Sequence, residues 1–586
     1  MLKILNNKHL FFVIVLLLVH LIIRIPSFFD PYWYVDETLY LVMGKAIKSG
    51  EILYKDIVDN KPPVVYLLAT LIDTQVGLRV FMTTIVSLAL VAFYDLMNKF
   101  FIKNLYISQS FTFILMVLLS SISFEGTIFN AEPVFISFSI IGWWLISKTF
   151  SWKLLFLSNK TISSKQIKLL KNRDFFLLFT SGVLFSLSLL TKVPAILFFG
   201  PIILTFVVIL FKQKNNSKLF NKFLIFNLIV LILGVILPII WSIIYFYLND
   251  ALGDYYFWCI KFLFSYVESW EPFFSFSNLF ISNLFSTPFK ISFLVSTNLL
   301  LLFLFFKNKI SVQKYFIFTW VSCNFYAVII SNRPFNNYWL PLFPPFIALT
   351  ALLFDSFFQK KKDIFLFLFY IFSVFLICLI FFTIPFKLFP YIDYYKINRQ
   401  WVNGEINSWL HNQWFDFLVD ERLSFPATTY MGDNEIVRSW LNKKNVNSIF
   451  ILGNNPMVLV DTEVKNAIKF PLSFYLDNFF EIHEQIYQQI NDSKPDVILI
   501  MKDNFSSFTL INQLVADHYQ EVFDLRSQNV YFRKDSIVFK LKPTHYYSRM
   551  YLISQILTND QSLIKSLPDG YLYPRNDTDI YQLEVP

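Results

Sequence analysis

The sequence predicts an α-helical polytopic membrane protein of about eleven transmembrane helices, up to thirteen, followed by a small C-terminal α/β or α+β domain. Three observations carry this. Apolar residues make up 55% of the 586, they come in long runs, and the mean hydropathy is +0.52, which is more apolar surface than a soluble core absorbs. Lys and Arg fall in short clusters between those runs, on alternate connections. From about residue 396 onward the charges disperse and the apolar runs shorten.

A helix needs roughly 20 apolar residues to cross the hydrocarbon layer. That ruler places spans near 9–27, 77–98, 106–124, 133–149, 174–191, 194–211, 223–247, 291–306, 315–332, 339–358 and 364–386. The first follows Lys3 and Lys8 in the manner of a signal peptide, but no small-residue cleavage site comes after it, so it is expected to remain as an uncleaved span. One set of connections carries Lys99 and Lys103, then Lys153 to Arg173, Lys212 to Lys222, Lys307 to Lys314 and Lys360 to Lys362. The other set holds 28–76, 125–132 with Glu125 and Glu132 but no Lys or Arg, Thr191-Lys192-Val193, 249–290 and 333–338. The positive-inside rule puts the first set and the N-terminus in the cytoplasm, and the second set and everything after 387 outside. The net charge of +9 therefore reports topology and does not point to nucleic acid.

Two outer loops exceed simple turns. Loop 28–76 is polar and acidic. A helix is expected to begin near Thr38, and Pro62-Pro63 resets the backbone before an interfacial helix over Val64–Ile72. Loop 249–290 mixes acids with Tyr, Phe and Trp, as headgroup-level helices do. Beyond it, Ser448–Gly453 and Asp496–Met501 read as buried strands, Phe479–Ile490 and Phe508–His518 as helices, and Val530–Arg533 with Ser536–Lys540 as a closing hairpin. This divides the chain into a membrane domain, 1–390, and an extracytoplasmic domain, 391–586. Cys259, Cys323 and Cys378 all lie in or beside apolar segments, so no disulfide framework is expected.

Charged groups at the outer ends of spans are the informative ones, because burying them costs several kcal/mol unless they are paired or hydrated. Asp36, Glu37, Lys61, Glu132, Lys192 and Arg333 all fall on the outer side. Carboxylates able to take a proton from an acceptor hydroxyl, facing cations able to hold a departing phosphate, suit transfer from a phosphate-linked donor. Plainer roles fit the same positions. Asp36 could pair with Lys61 or cap a helix, Glu37 could sit in solvent, Glu132 before Pro133 suits a helix start, and Lys192 could snorkel. Arg24 and Arg79 read as headgroup anchors. The six histidines lack metal-ligand spacing, and 13 glycines leave little for a phosphate loop, so a nucleotide-binding domain is unsupported.

Asp36-Glu37-Thr38-Leu39-Tyr40, Gly44, Gly50, Leu53-Tyr54-Lys55-Asp56 and Asn60-Lys61-Pro62-Pro63 resemble the first periplasmic loop of GT-C fold glycosyltransferases, near the bacterial protein O-mannosyltransferases and aminoarabinose transferases. Asn130-Ala-Glu132-Pro resembles the second acidic motif of that group, Leu190-Thr-Lys192-Val-Pro its Leu-Thr-Lys hairpin tip, and 333–344 its Arg–Tyr–Pro stretch. The resemblance implies a polyprenyl phosphate monosaccharide donor, an acceptor protein, lipid or glycan, inversion at the anomeric carbon, and a multi-pass inner-membrane enzyme. It implies catalytic roles for Asp36, Glu37 and Glu132, donor-phosphate binding by Lys61, Lys192 and Arg333, and cavity-lining roles for Tyr40, Asn60, Asn130 and Tyr338. No cofactor is assigned, and a divalent metal is left open. Leu39, Asn60 and Asn337 depart from the residues common in the aminoarabinose transferases, so the sugar and the acceptor are not inherited. The rival readings are a transporter or flippase for an anionic lipid-linked substrate, which would place its charges near the midplane in two repeated halves, and a noncatalytic scaffold.

Overall fold

The structure is a computed structural model that describes residues 7–149, 171–212, 218–263, 287–330, 335–358 and, within 391–534, all but 407, 409, 413, 417–429, 444–445, 474–481, 503–508 and 526. Helices run in the order α1 (Asn7–Arg24), α2 (Val35–Lys48), α3 (Val64–Ile72), α4 (Gln75–Leu96), α5 (Leu105–Leu119), α6 (Ala131–Ser147), α7 (Lys171–Leu189), α8 (Ile196–Lys212), α9 (Lys218–Leu248) and α10 (Leu252–Tyr256). They continue with α11 (Thr287–Phe306), α12 (Val312–Ile330), α13 (Phe343–Phe358), α14 (Tyr391–Val402), α15 (Met431–Lys443), α16 (Ile482–Ser493) and α17 (Thr509–His518).

A helix covers each of the first ten expected spans, and the eleventh, 364–386, lies outside the described residues. Among the described residues four helical stretches are long and apolar enough to cross a membrane by length and composition: Lys8–Phe29, Gln75–Phe101, Ile225–Leu248 and Asn336–Ser356. Two boundaries differ from expectation for local reasons. α5 stops at Leu119, where Ser120 and Ser121 begin a loop in which Glu125 takes a left-handed φ of 57°. α13 starts only at Phe343, because Pro341 lies inside the preceding 3-10 turn Asn336–Leu342, where an α-helix interior would not accept it, and the next two prolines, Pro344 and Pro345, are tolerated only in a first helical turn.

The chain divides into two compact units. The first comprises 1–24, 60–65 and 79–384. In it α9 and α6 pack against α7, α8 and α11 against α12, and α13 against α5. Glycines set the closest of these approaches: a Cβ on Gly182 would lie 2.2 Å from the Leu231 carbonyl oxygen, and one on Gly234 2.3 Å from that of Phe179. Small residues permit such backbone contact between apolar helices. The two histidines of α1 also join helices, with His9 Nδ1 2.7 Å from the Tyr94 hydroxyl and His20 Nδ1 2.8 Å from that of Ser87.

The second unit comprises 25–59, 66–78 and 385–586. Its centre is a mixed sheet of β1 (Ser448–Leu452), β2 (Lys465–Asn466), β3 (Val497–Met501), β4 (Tyr519–Asp524) and β5 (Gln528–Arg533), in the order β2-β1-β3-β5-β4. β1 pairs in parallel with β2 and β3, and β5 runs antiparallel to both β3 and β4. β1 and β3 are buried nearly throughout, as continuous apolar runs with both faces covered should be. The hairpin differs from the expected one. Val530–Arg533 does lie in a strand, but its hairpin partner is Tyr519–Asp524, and Ser536–Lys540 falls outside the described residues. Tyr519 and Phe523 are buried beside exposed Glu521 and Asp524, a charged edge strand that follows α17 directly and that the sequence reading did not assign.

Candidate functional site

In the first unit the site is built at the start of α6. The Asn130 side chain caps the helix, its Oδ1 accepting from the Ala131 N–H at 2.7 Å while its Nδ2 donates to Glu125 Oε2 at 2.9 Å. The cap sets Glu132 in the first turn, where Pro133 sacrifices no helical hydrogen bond. The Glu132 side chain is only 2% exposed, and Lys192 Nζ donates to its Oε1. Its Oε2 has no hydrogen-bond partner among the described residues. Lys192 opens the 3-10 turn Val193–Ala195 behind α7, and its ammonium lies 3.8 Å from the centroid of the Tyr338 ring. A cation set over a ring and against one carboxylate oxygen is held from two sides.

Other segments converge here. The Val64 N–H donates to the Leu190 carbonyl at 2.9 Å, which fastens the Asn60-Lys61-Pro-Pro segment beside the Leu190-Thr-Lys192 turn. The Cys259 thiol donates to the Lys61 carbonyl at 3.6 Å. Asn337, next to Tyr338, is buried, and its Oδ1 has no partner among the described residues, as is also true of the Ser120, Ser121 and Thr127 hydroxyls in the loop before α6.

Arg24 and Arg79 stand differently from the sequence expectation: both are fully buried rather than at the surface. Arg24 Nε donates to Thr83 Oγ1 at 3.1 Å, and its Nη1 donates to the Gly126 carbonyl. The guanidinium therefore braces the loop that carries Glu125 and Asn130. An arginine just past an apolar run looks like a headgroup anchor until the loop that covers it is known.

Asp36, Glu37 and Tyr40 belong to the second unit, and Asn60, Lys61, Asn130, Glu132, Lys192 and Tyr338 to the first. Arg333 lies outside the described residues. Asp36 and Glu37 occupy the first turn of α2, where the helix dipole favours carboxylates. Asp36 is half-buried. Glu37 is buried, and its Oε2 accepts from Gln75 Nε2 at 3.0 Å. Tyr40 is buried with its ring edge-on to Tyr66, centroids 5.8 Å apart. The Tyr66 hydroxyl donates to buried Asp59, and burial first, then that carboxylate, pushes the phenol well above its ordinary pKa. Gly44 lets α2 touch α3, since a Cβ there would come within 2.7 Å of the Ala69 carbonyl carbon.

In the sequence Glu125, Asp59 and Gln75 stand out only as loop residues or not at all. The available signal was their position beside motif residues, and the pairing partners could not be read. Among the described residues no three His, Cys, Asp or Glu side chains gather to hold a metal ion.

The fold is that of the GT-C glycosyltransferases. The structure of ArnT, an aminoarabinose transferase, from Cupriavidus metallidurans in the apo state matches at a TM-score of 0.50 and 11% identity, over 89% of this chain and 97% of that one. The Archaeoglobus fulgidus oligosaccharyltransferase AglB, in complex with an inhibitory peptide and a dolichol-phosphate, matches at 0.43 and 11% identity, over 91% of this chain and 75% of that one. A second structure of the A. fulgidus enzyme, tethered to an acceptor peptide, matches at 0.43 and 13% identity, over 90% and 74%. No family model and no curated protein sequence matches the chain.

Proposed function

We propose that this protein is an integral membrane glycosyltransferase that moves a monosaccharide from a polyprenyl phosphate carrier to an acceptor hydroxyl at the outer face of the membrane. The observation that carries the reading is the Glu132–Lys192 pair against Tyr338, with one carboxylate oxygen unused among the described residues, beside the Lys61 segment in a chain with the ArnT fold. Lys61 and Lys192, with Arg333, hold the carrier phosphate. Asp36 takes the acceptor proton as its oxygen bonds to the anomeric carbon, the bond from that carbon to the phosphate oxygen breaks, and polyprenyl phosphate leaves with its charge met by the lysines. Attack from the side opposite the phosphate inverts the anomeric centre. Glu132 fixes Lys192 and offers its second oxygen to the sugar. Glu37 supports the Asp36 turn from within the fold, and Tyr40, Asn60, Asn130 and Tyr338 shape the cavity.

An amphiphilic donor explains a membrane enzyme with no nucleotide-binding motif: the isoprenoid tail stays in lipid and only the head meets polar groups. The test is transfer from radiolabelled polyprenyl phosphate sugars in membranes, with bound-lipid mass spectrometry of the purified protein. Asp36→Asn and Lys61→Ala are expected to keep wild-type expression and to lower transfer by at least about 100-fold. Wild-type transfer by Asp36→Asn removes that residue from the mechanism.

A further inference from the structure

The sheet of the second unit has a place where a ligand would be expected, and part of the chain itself lies there. β1 is flanked by β2 on one side and β3 on the other, all three parallel. The connection leaving β1 therefore runs towards β2 and the one leaving β3 runs the other way, towards β4 and β5, so the two part between the carboxyl ends of β1 and β3, where open α/β sheets hold ligands. β1 leads into Gly453-Asn-Asn and the 3-10 turn Pro456–Val458, and that turn packs against α2.

The floor of the crevice is locked by side-chain amides. Asn455 Nδ2 donates to Asn434 Oδ1 and to Gln528 Oε1, each at 2.7 Å, and Gln528 Nε2 donates to Asn434 Oδ1 at 3.2 Å. Asp433 accepts from the backbone N–H and the hydroxyl of Ser527 at 2.8 and 2.7 Å. The start of α15, the exit of β1 and the start of β5 are thereby fixed to one another.

The walls grip the segment around α2. Lys45 donates to the Thr462 carbonyl, and the Val58 N–H donates to the Lys469 carbonyl at 2.8 Å. Tyr32, just ahead of α2, is held twice: its hydroxyl donates to Asp461, and the Arg438 guanidinium sits 5.2 Å from its ring centroid and 3.9 Å from the Asp461 carboxylate.

We propose that the C-terminal domain uses its ligand crevice to hold α2 of its own chain, and that Arg438 is a positioning residue that aims Asp36 through Tyr32. The effect on turnover rests on the glycosyltransferase reading above; the holding of α2 does not.

The test uses the full-length protein in lipid nanodiscs, with Arg438→Ala, Tyr32→Leu and the double variant, read by amide hydrogen exchange over 35–48 and by transfer kinetics. Tyr32→Leu lies outside the domain and serves where Arg438→Ala fails to fold. Each single variant is expected to exchange about tenfold faster across α2 and to lose on the order of 10- to 100-fold in kcat, with KM for the donor within about twofold and an unchanged unfolding temperature. The double variant should turn over no more slowly than Tyr32→Leu alone, because that substitution already removes the ring on which Arg438 acts. Tyr32→Phe, which keeps the ring under the guanidinium, should recover most of the rate. Wild-type exchange over 35–48 in both single variants overturns the proposal, and so does faster exchange with unchanged kcat. Should the wild type transfer no sugar from any donor, the glycosyltransferase reading falls, and the exchange result alone decides whether the crevice holds α2.

Discussion

Both units bury carboxylates, and they treat them differently. In the second unit Glu37 accepts from the Gln75 amide and Asp59 from the Tyr66 hydroxyl, so each has at least one uncharged donor. In the first unit Glu132 meets the Lys192 ammonium, and its other oxygen has no partner among the described residues. Neutral donors fix a carboxylate in place and reinforce the packing around it. A cation on one oxygen, with the other oxygen unpaired among the described residues, leaves one able to meet a substrate as well.

The largest test of this contrast is Lys192→Ala. It leaves the Glu132 carboxylate buried with no cation partner among the described residues and should cost about 3 kcal/mol in unfolding experiments, along with transfer. Adding Glu132→Gln should restore most of the stability but not the activity. Recovery of both would make the pair a structural one.

A smaller effect is expected from Tyr66→Phe, which deletes the hydroxyl that serves Asp59. It should destabilise by about 1–2 kcal/mol with transfer retained per folded molecule, measured by unfolding and by turnover on the same preparation. A selective loss of turnover would move Asp59 from the structural set to the chemical one.

The mildest check is pH. His411 is buried, stacked on Trp401 with its Nε2 2.7 Å from Asn398 Oδ1, and burial lowers its pKa to about 3. The unfolded chain binds this proton near pH 6.5 and the folded one only near pH 3. The contribution is therefore complete above about 6.5 and falls away as the pH drops towards 3, by up to about 1.4 kcal/mol per pH unit. His411→Asn should flatten that part of the acid limb of the stability curve. An unchanged limb would mean that the imidazole is protonated in the fold.

What the sequence made legible is what depends on near neighbours. The apolar runs marked the helices because a span of roughly 20 residues is a length, and length is local. Ser448–Gly453 and Asp496–Met501 showed as strands because a sheet covered on both faces needs unbroken apolar runs. Val64–Ile72 was visible from the prolines before it. Tyr519–Asp524 was not visible, since it follows α17 without a turn residue and carries two acids that become favourable only at a sheet edge. In the candidate site Glu132 and Lys192 could be named from their places at span ends. Their pairing, Glu125 with Asn130, and Arg24 with the Gly126 carbonyl 102 residues away depend on which loops meet. No local pattern encodes that.

The contact of Lys45 with Thr462 joins residues 417 positions apart. A ribosome adding about 5–20 residues each second needs roughly 20–80 s to bridge that interval. For all of that time α2 is made but lacks the surface it rests on, so the stretch bearing Asp36 matures only after translation has passed the sheet. Nascent chains arrested before residue 448 should have a protease-sensitive 35–59 segment, and chains extended past residue 534 a resistant one.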